Sequence, residues 1–198
     1  MQSVRVTSSE NSENSENKVT WTSSDLELLP DNGNKYEIID GELFVTRAPH
    51  WKHQSTCGNL HYHLNTWCRF SKLGYVAMGV GLIFGDRDDV IPDVVWVSTE
   101  RYGMLIDEAG HLRGAPELVI EVLSPGAENE RRDRQVKLKL YSIRGVLEYW
   151  VVDWQKQAIE VYRRENGVLK LTMTLYSEDV ITSPLLPDFA CPLAQIFD

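Results

Sequence analysis

Two carboxylates lie inside otherwise apolar stretches of the sequence, where a charged side chain is unusual. Asp93 lies within IPDVVWV, residues 91–97, and Glu121 lies within ELVIEVL, residues 117–123. A carboxylate in a buried strand loses much of its hydration free energy unless it is paired or binds a cation. For either carboxylate alone, a position at a solvated sheet end or beside an arginine is a better interpretation than a metal site. The two carboxylates lie on successive strands separated only by a loop, and for the pair a divalent-metal site is as good an interpretation as these structural ones.

Two carboxylates on adjacent strands are suitable ligands for a hard cation, Mg²⁺ or, in its place, Mn²⁺. Mg²⁺ keeps several waters and binds one or two carboxylates together with substrate phosphates. Such an ion can lower the pKa of a bound water and can offset charge on a phosphoryl group under attack. The chemistry that these residues predict is therefore hydrolysis of a phosphate ester.

A basic segment follows the second carboxylate. Against one Asp133 it contains six cations and has a net charge of +5; the cations are Arg131, Arg132, Arg134, Lys137, Lys139 and Arg144. The helix predicted here begins near Glu121, so one lysine could reach a metal-bound water or a scissile phosphate. Lys137 and Lys139 flank its apolar stripe on opposite sides, and helical geometry leaves both open. Arg131 and Arg134 are candidate substrate-binding residues, although a solvated, locally paired face explains most of the segment.

Periodicity and turn signals predict the elements that position these groups. Helical spacing predicts helices over residues 22–29, 52–71 and 130–144. In the last of these, Val136, Leu140 and Ile143 form the inward stripe. Strands are predicted over residues 36–39, 42–45, 75–84, 91–97, 118–123, 148–152, 158–162 and 168–176. The Asp40-Gly41 pair closes the first two strands into a hairpin. The order predicts an α/β (α+β) fold in which helices flank a mixed central sheet.

The first long helix has three residues of the types that bind zinc. His53, Cys57 and His61 follow one another at intervals of four. Zinc sites usually need a fourth ligand and close pairs such as Cys-x-x-Cys. Because Leu60 and Leu64 share that side of the helix, a partly buried helix face is the favoured interpretation.

Composition limits the remaining classes of protein. The 198 residues contain 20 Lys+Arg and 29 Asp+Glu, for a net charge of −9, which argues against a uniformly basic nucleic-acid binder. Three irregularly spaced cysteines indicate a reducing compartment, and no apolar run suits a bilayer or a signal peptide. We therefore expect a cytoplasmic protein. Residues 1–20, rich in Ser, Asn and Glu, are predicted to be disordered, and residues 21–198 to form a single domain.

Five motifs, in this order and spacing, carry a family resemblance from Trp21 to the C-terminus. They are YEIIDGEL at 36–43, PDV at 92–94, APELVIEVLSP at 115–125, RRD with the following KL and Tyr at 131–141, and GVLEYWVVD at 145–153. Together they resemble the Uma2 family of the PD-(D/E)XK nuclease superfamily. The resemblance implies a restriction endonuclease-like fold and a metal-dependent DNA endonuclease that leaves 5′-phosphate and 3′-hydroxyl ends.

The resemblance also implies roles for three residues. Asp93 matches the aspartate of the Pro-Asp element, and Glu121 matches the acidic residue of the (D/E)XK element. Leu123 stands where that element has lysine. Lys137, in an Asp-x-x-x-Lys-Leu pattern, takes the basic role instead, so the resemblance chooses it over Lys139. Catalysis would then depend on a displaced lysine.

Two further matches have less definite roles. Glu37 matches the Tyr-Glu element and is either an additional metal ligand, a water-orienting group or a surface residue of the hairpin. His53 matches the histidine of a Pro-x-x-x-His-Gln stretch and is a candidate substrate-binding residue. By superfamily analogy, DNA is the expected substrate and a homodimer the expected assembly.

Two other classes of function remain as alternatives. One is a catalytically silent nuclease fold that binds nucleic acid or a protein partner. The other is a structural oligomer with no nucleic-acid role. If the two carboxylates and the lysine converge in one cleft, the nuclease hypothesis gains, and if the carboxylates face opposite sides of the sheet, it fails.

Overall fold

The elements of the protein are described for residues 19–198 of a computed structural model, so nearly all of the predicted disordered segment 1–20 lies outside the described residues. The strands are β1 (Lys35–Ile39), β2 (Glu42–Thr46), β3 (Gly74–Met78), β4 (Leu82–Gly85), β5 (Asp88–Val90), β6 (Val94–Ser98), β7 (Leu118–Val122), β8 (Glu148–Asp153), β9 (Ala158–Glu165), β10 (Val168–Tyr176), β11 (Val180–Ser183) and β12 (Leu186–Pro192). The helices are α1 (Ser23–Leu26), α2 (Trp51–Ser71), α3 (Thr99–Leu105), α4 (Ala127–Arg131), α5 (Leu138–Arg144) and α6 (Ala194–Phe197). A π-helical segment, Arg132–Lys137, joins α4 to α5.

The central sheet is mixed and has the strand order β10-β9-β8-β7-β6-β3. Strands β7 and β8 are parallel, whereas the other neighbours in this sheet are antiparallel. A parallel pair needs a crossover, and the helical stretch from α4 to α5 provides it. That stretch therefore starts beyond the end of β7, close to Glu121. The predicted fold class, a mixed sheet flanked by helices, is confirmed.

The two faces of the sheet pack against different helices. Ile120 of β7 belongs to the same buried cluster as Leu60 of α2. Val119 belongs to a second cluster with Tyr141 of α5. Because side chains alternate along a strand, Glu121 lies on the Val119 side and faces α5. All of β7 is buried, so Glu121 lies in a covered strand, as the sequence predicts.

The predicted strand 75–84 is wrong as a single element. Gly79 has a φ of 59°, a left-handed conformation that glycine adopts without a Cβ clash, and the chain leaves the central sheet there. It continues as β4 in a second sheet of order β2-β1-β5-β4, and β5 lies between the predicted strands 75–84 and 91–97, where no strand was predicted. The predicted hairpin forms β1 and β2 of this second sheet. It contacts the segment before β6, where the Lys35 Nζ donates to the Ile91 carbonyl at 3.1 Å.

The predicted inward stripe of the third helix is partly wrong. Ile143 is 69% exposed, while Asp133 and Lys137 are buried at 2% and 1% exposure. Asp133, Lys137 and Leu140 follow one another at intervals of four and three, so they share the inward face, and Val136 is partly buried at its edge. Leu140 keeps its predicted inward position.

Several elements were not predicted. The α3 helix lies between β6 and β7, where the sequence predicted only a loop, and β11 and β12 form a two-stranded sheet near α6. All three cysteines are buried and free. Within residues 19–198, no helix combines the length and apolar character needed to cross a membrane.

Candidate active site

A cavity of about 500 Å³ opens where the second sheet, α2 and the π-helical segment meet the central sheet. Five predicted site residues line it: Glu37, His53, Asp93, Glu121 and Lys137. They come from β1, α2, the segment before β6, β7 and the π-helical segment, so the site depends on the tertiary fold rather than on one local motif.

Lys137 lies at the base of this cavity and is almost completely buried. Its Nζ is 2.9 Å from Glu37 Oε1 and 2.9 Å from Glu121 Oε1. Asp133 Oδ1 is 3.9 Å away, one helical turn earlier. Burial alone would lower the pKa of Lys137, but the charges of these carboxylates outweigh it and raise the pKa. The ammonium group is therefore held charged in a buried position.

Glu121 has an unusually high affinity for a proton. Burial raises its pKa to about 7, and the neighbouring carboxylates Asp93, Asp133 and Glu37 add to this, against the lowering effect of Lys137. The Tyr141 hydroxyl donates to Glu121 Oε1 at 2.7 Å. This carboxyl group therefore holds a proton more readily than a solvent-exposed glutamate does.

Asp93 is instead held in its charged form. Its Oδ2 accepts a hydrogen bond from the Val122 backbone N–H at 2.9 Å, which ties it to the strand that carries Glu121. His53 Nε2 is 3.3 Å from Oδ2, and Lys35 Nζ is 3.3 Å from Oδ1. Although burial acts in the opposite direction, His53 and Lys35 lower the pKa of Asp93 well below its usual range. In return, Asp93 raises the pKa of His53 against the effect of burial.

Glu37 is a buried member of this group, so its interpretation as a surface residue of the hairpin is wrong. It is 1% exposed, and its Oε1 accepts from the Ile91 backbone N–H at 2.8 Å as well as from Lys137. Although burial opposes it, the nearby lysines lower the pKa of Glu37. The side chain points away from solvent because its side of β1 packs against the segment before β6 and the π-helical segment.

The remaining basic candidates from the sequence do not line the cavity. Lys139 and Arg131 are exposed, and neither lines the cavity. Arg134 also lies outside it and forms ion pairs with Asp153 and Glu160 on β8 and β9. Of the cations from the basic segment, Lys137 and Arg132 reach the cavity wall.

Other cavity residues were missed by sequence reasoning. Arg132 lines the wall, with Nε 3.2 Å from Asp133 Oδ1, while Arg47 is exposed and Lys35 half-buried. Residue spacing could have identified two of the cavity residues, Asp133 and Lys35. Asp133 precedes Lys137 by one helical turn, and Lys35 precedes Glu37 by two residues on the same face of β1. No local signal identified Arg47.

One wall of the cavity combines nitrogen, sulfur and oxygen donors. His53, Cys57 and Asp93 each offer a potential ligand atom, and these atoms lie within 4.8 Å of one another. His61, the third residue of the predicted line along α2, is not in this group. Burial raises the pKa of the Cys57 thiol well above its usual range.

The opposite wall has donors that fit a hard divalent cation. Among the described residues, the protein donors that contact Glu37 and Glu121 all reach their Oε1 atoms, so both Oε2 atoms stay available. Asp93 adds a third carboxylate, held charged. Mg²⁺ prefers carboxylate oxygens and water, so these side chains are of the type that could hold it.

The sequence matches a family model across most of its length. The model is that of Uma2, described as "Putative restriction endonuclease", and it covers residues 23–194. The chain belongs to the Uma2 family. No curated protein matches the chain.

A solved structure shares the fold of this Uma2 chain. It is the crystal structure of a putative nuclease belonging to DUF820 from Anabaena variabilis, with a TM-score of 0.71 and 18% sequence identity. The match covers 89% of this chain and 97% of the other. At this identity the likeness establishes the fold.

The raised pKa of Glu121 predicts a pH dependence of stability for the metal-free Uma2 protein. The group prefers its proton when folded, so its contribution to stability is full below the unfolded pKa near 4.5 and is lost as the pH rises through about 7. In EDTA, between pH 5 and 8, the free energy of unfolding of the wild type should fall by about 2 kcal/mol more than that of Glu121→Gln. Urea denaturation at each pH measures both, and parallel curves would contradict the assignment. His53, which titrates nearby, is present in both proteins.

Proposed function

We propose that this protein is a metal-dependent DNA endonuclease that hydrolyses phosphodiester bonds. The observation that carries the proposal is the buried Lys137 between Glu37 and Glu121, beside Asp93, in one open cavity. The family description, a restriction endonuclease, supports a nuclease function. A purely structural role would not explain why so many ionisable groups line a cavity that apolar residues could fill.

Each of these residues has a proposed role. Asp93 and Glu121 would hold Mg²⁺, or Mn²⁺, and Glu37 would be an additional ligand. When bound, the ion supplies a water of lowered pKa and offsets charge on the phosphate. Lys137 keeps the Glu37 and Glu121 carboxylates together and presents a permanent positive charge to the attacking water or to the phosphate.

Substrate contacts are proposed for the rim and walls of the cavity. Arg47 is exposed at the rim, and Arg132 lines the wall, so both can pair with phosphate oxygens of DNA. His53 remains a candidate for substrate binding. Arg131 is exposed outside the cavity, where a longer DNA could reach it. Arg134 is already paired with carboxylates of the sheet, which makes it the weakest of these candidates.

The wider organisation is part of the same proposal. Residues 21–198 would act as a single domain, and a homodimer would place two sites on the two strands of DNA. Light scattering should give a mass of two chains, and a strictly monomeric mass would contradict the dimer. A cytoplasmic location is supported by three buried free thiols, which suit a reducing compartment.

Cleavage of supercoiled plasmid tests the activity. With Mg²⁺ or Mn²⁺ the wild type should nick or linearise the DNA, and Asp93→Asn should lower the rate by about 10³-fold because a charged ligand is lost. Asp40→Asn is the matched control, since this aspartate is exposed on the hairpin turn and tolerates the exchange at its φ of 51°.

Three outcomes would oppose the proposal. If neither protein cleaves any form of DNA with either metal, the enzyme claim fails. If DNA is retained on a filter equally with EDTA or Mg²⁺, and equally by Asp93→Asn, the catalytically silent binding module is favoured instead. Failure to retain DNA at all would favour the structural oligomer.

A pair of lysine variants tests the displaced basic residue. Lys137→Gln should lower the cleavage rate by about 10²-fold or more, because the charge at the base of the cavity is lost. Lys139→Gln, two residues along the same helical stretch but exposed, should stay within twofold of the wild type. Near-ultraviolet circular dichroism checks that each variant is folded. Equal rates for folded Lys137→Gln and wild type would remove Lys137 from the mechanism.

A further inference from the structure

The cavity has two walls of different coordination chemistry that meet at Asp93. The wall formed by Glu37 and Glu121 offers carboxylate oxygens. The wall formed by α2 offers His53 and Cys57, and one atom from each lies within 4.8 Å of the other and of an Asp93 oxygen. The proposed nuclease mechanism gives Cys57 no role.

The side chains of the second set contact one another and their neighbours. His53 and Cys57 are one helical turn apart on α2, at 4% and 1% exposure, and Cys57 Sγ is 3.6 Å from His53 Nδ1. Gln54 Oε1 lies 3.3 Å from the same ring nitrogen. Asp93 is fixed from the other side by the Val122 N–H. Supporting hydrogen bonds of this kind orient ligands before an ion arrives.

The donor types select a class of ion. A thiolate and an imidazole are poor ligands for Mg²⁺ and good ones for Zn²⁺, which binds Cys, His and carboxylate side chains in four-coordinate sites. Structural zinc sites usually have four protein ligands. Catalytic zinc sites usually have three, and their fourth position is open to water or substrate. Here the fourth position would face the cavity that all three residues line.

We propose that His53, Cys57 and Asp93 form a Zn²⁺ site that shares Asp93 with the all-oxygen set. Zinc–ligand bonds of about 2.0–2.3 Å place tetrahedral ligands roughly 3.3–3.8 Å apart, so the three side chains need to close by no more than about 1.5 Å. Rotation of the Cys57 and His53 side chains on α2 provides this movement. Lys35, which contacts Asp93 and is 33% exposed in its side chain, can turn outward as the ion enters.

Because Asp93 belongs to both ligand sets, we expect Zn²⁺ binding to affect DNA cleavage, an expectation that rests on the proposed function. Because Zn²⁺ on the α2 wall would take one oxygen and much of the negative charge of Asp93, it would weaken the Mg²⁺ ligand set. Zn²⁺ would then inhibit cleavage in the presence of Mg²⁺, and Cys57 would determine how tightly it does so.

Cobalt spectroscopy tests the site without any activity assay. Co²⁺ substitutes for Zn²⁺, and its addition to the full chain under reducing conditions should produce a thiolate-to-cobalt charge-transfer band that Zn²⁺ abolishes. Cys57→Ser should remove the band, while Cys68→Ser and Cys191→Ser, matched controls at the other two buried cysteines, should keep it. Absence of the band in the wild type, or its persistence in Cys57→Ser, would overturn the proposal.

Competition with a chromophoric chelator gives the zinc affinity of folded variants. Cys57→Ser, His53→Ala and Asp93→Asn should each bind Zn²⁺ at least ~100-fold more weakly than the wild type. Glu121→Gln, which changes only the all-oxygen set, should bind Zn²⁺ within a few-fold of the wild type. Equal affinities across all the variants would place the ion elsewhere and overturn the site.

The two proposals fail separately. A protein that shows the cobalt band but never cleaves DNA retains the zinc site and loses the nuclease function. A protein that cleaves DNA with Mg²⁺ but shows no cobalt band retains the nuclease function and loses the zinc site. In an active wild type, Zn²⁺ inhibition that Cys57→Ser leaves unchanged would contradict the shared ligand.

Discussion

The buried ammonium of Lys137 is the constraint on which the candidate site depends. It joins Glu37 of β1 to Glu121 of β7, two strands that belong to different sheets. Without a cation between them, two carboxylates this close to one another and this far from water would repel, and each would favour its neutral form. One lysine therefore links the second sheet to the central sheet, beside the apolar cluster that both sheets share, and favours the charged form of the two carboxylates.

The position of Lys137 follows from two local features of the chain. Alternation along β7 turns Glu121 to the side of the sheet that α5 covers, opposite the side packed on α2. Helical spacing then places Asp133, Lys137 and Leu140 together on the inward face, with Val136 partly buried at its edge. The stretch is π-helical from Arg132 to Lys137, and π-helical turns occur often at functional sites.

Sequence reasoning recovered the fold class, the hairpin, the long helix and the carboxylates, because apolar periodicity and turn residues are local signals. It missed features that depend on distant contacts. The break at Gly79 comes from the separation of two sheets, and the burial of Glu37 comes from its contact with Lys137, one hundred residues later. Residue spacing left Lys137 and Lys139 equivalent, and the resemblance to Uma2 favoured Lys137, the lysine that the fold buries.

The fold shows where part of the negative charge of the chain lies. Residues 86–121 carry nine acidic and three basic side chains, and the basic helical stretch follows directly, so the two meet around the cavity. The fold pairs much of this charge locally, as Arg144 with Asp88 and Arg101 with Glu117. Asp93 and Glu121 of this segment line the cavity together with Glu37, and Lys137 contacts one oxygen each of Glu37 and Glu121. A net charge of −9 is thus compatible with the proposed DNA substrate, because Arg47 and Arg132 line the cavity and offer positive charge to its phosphates.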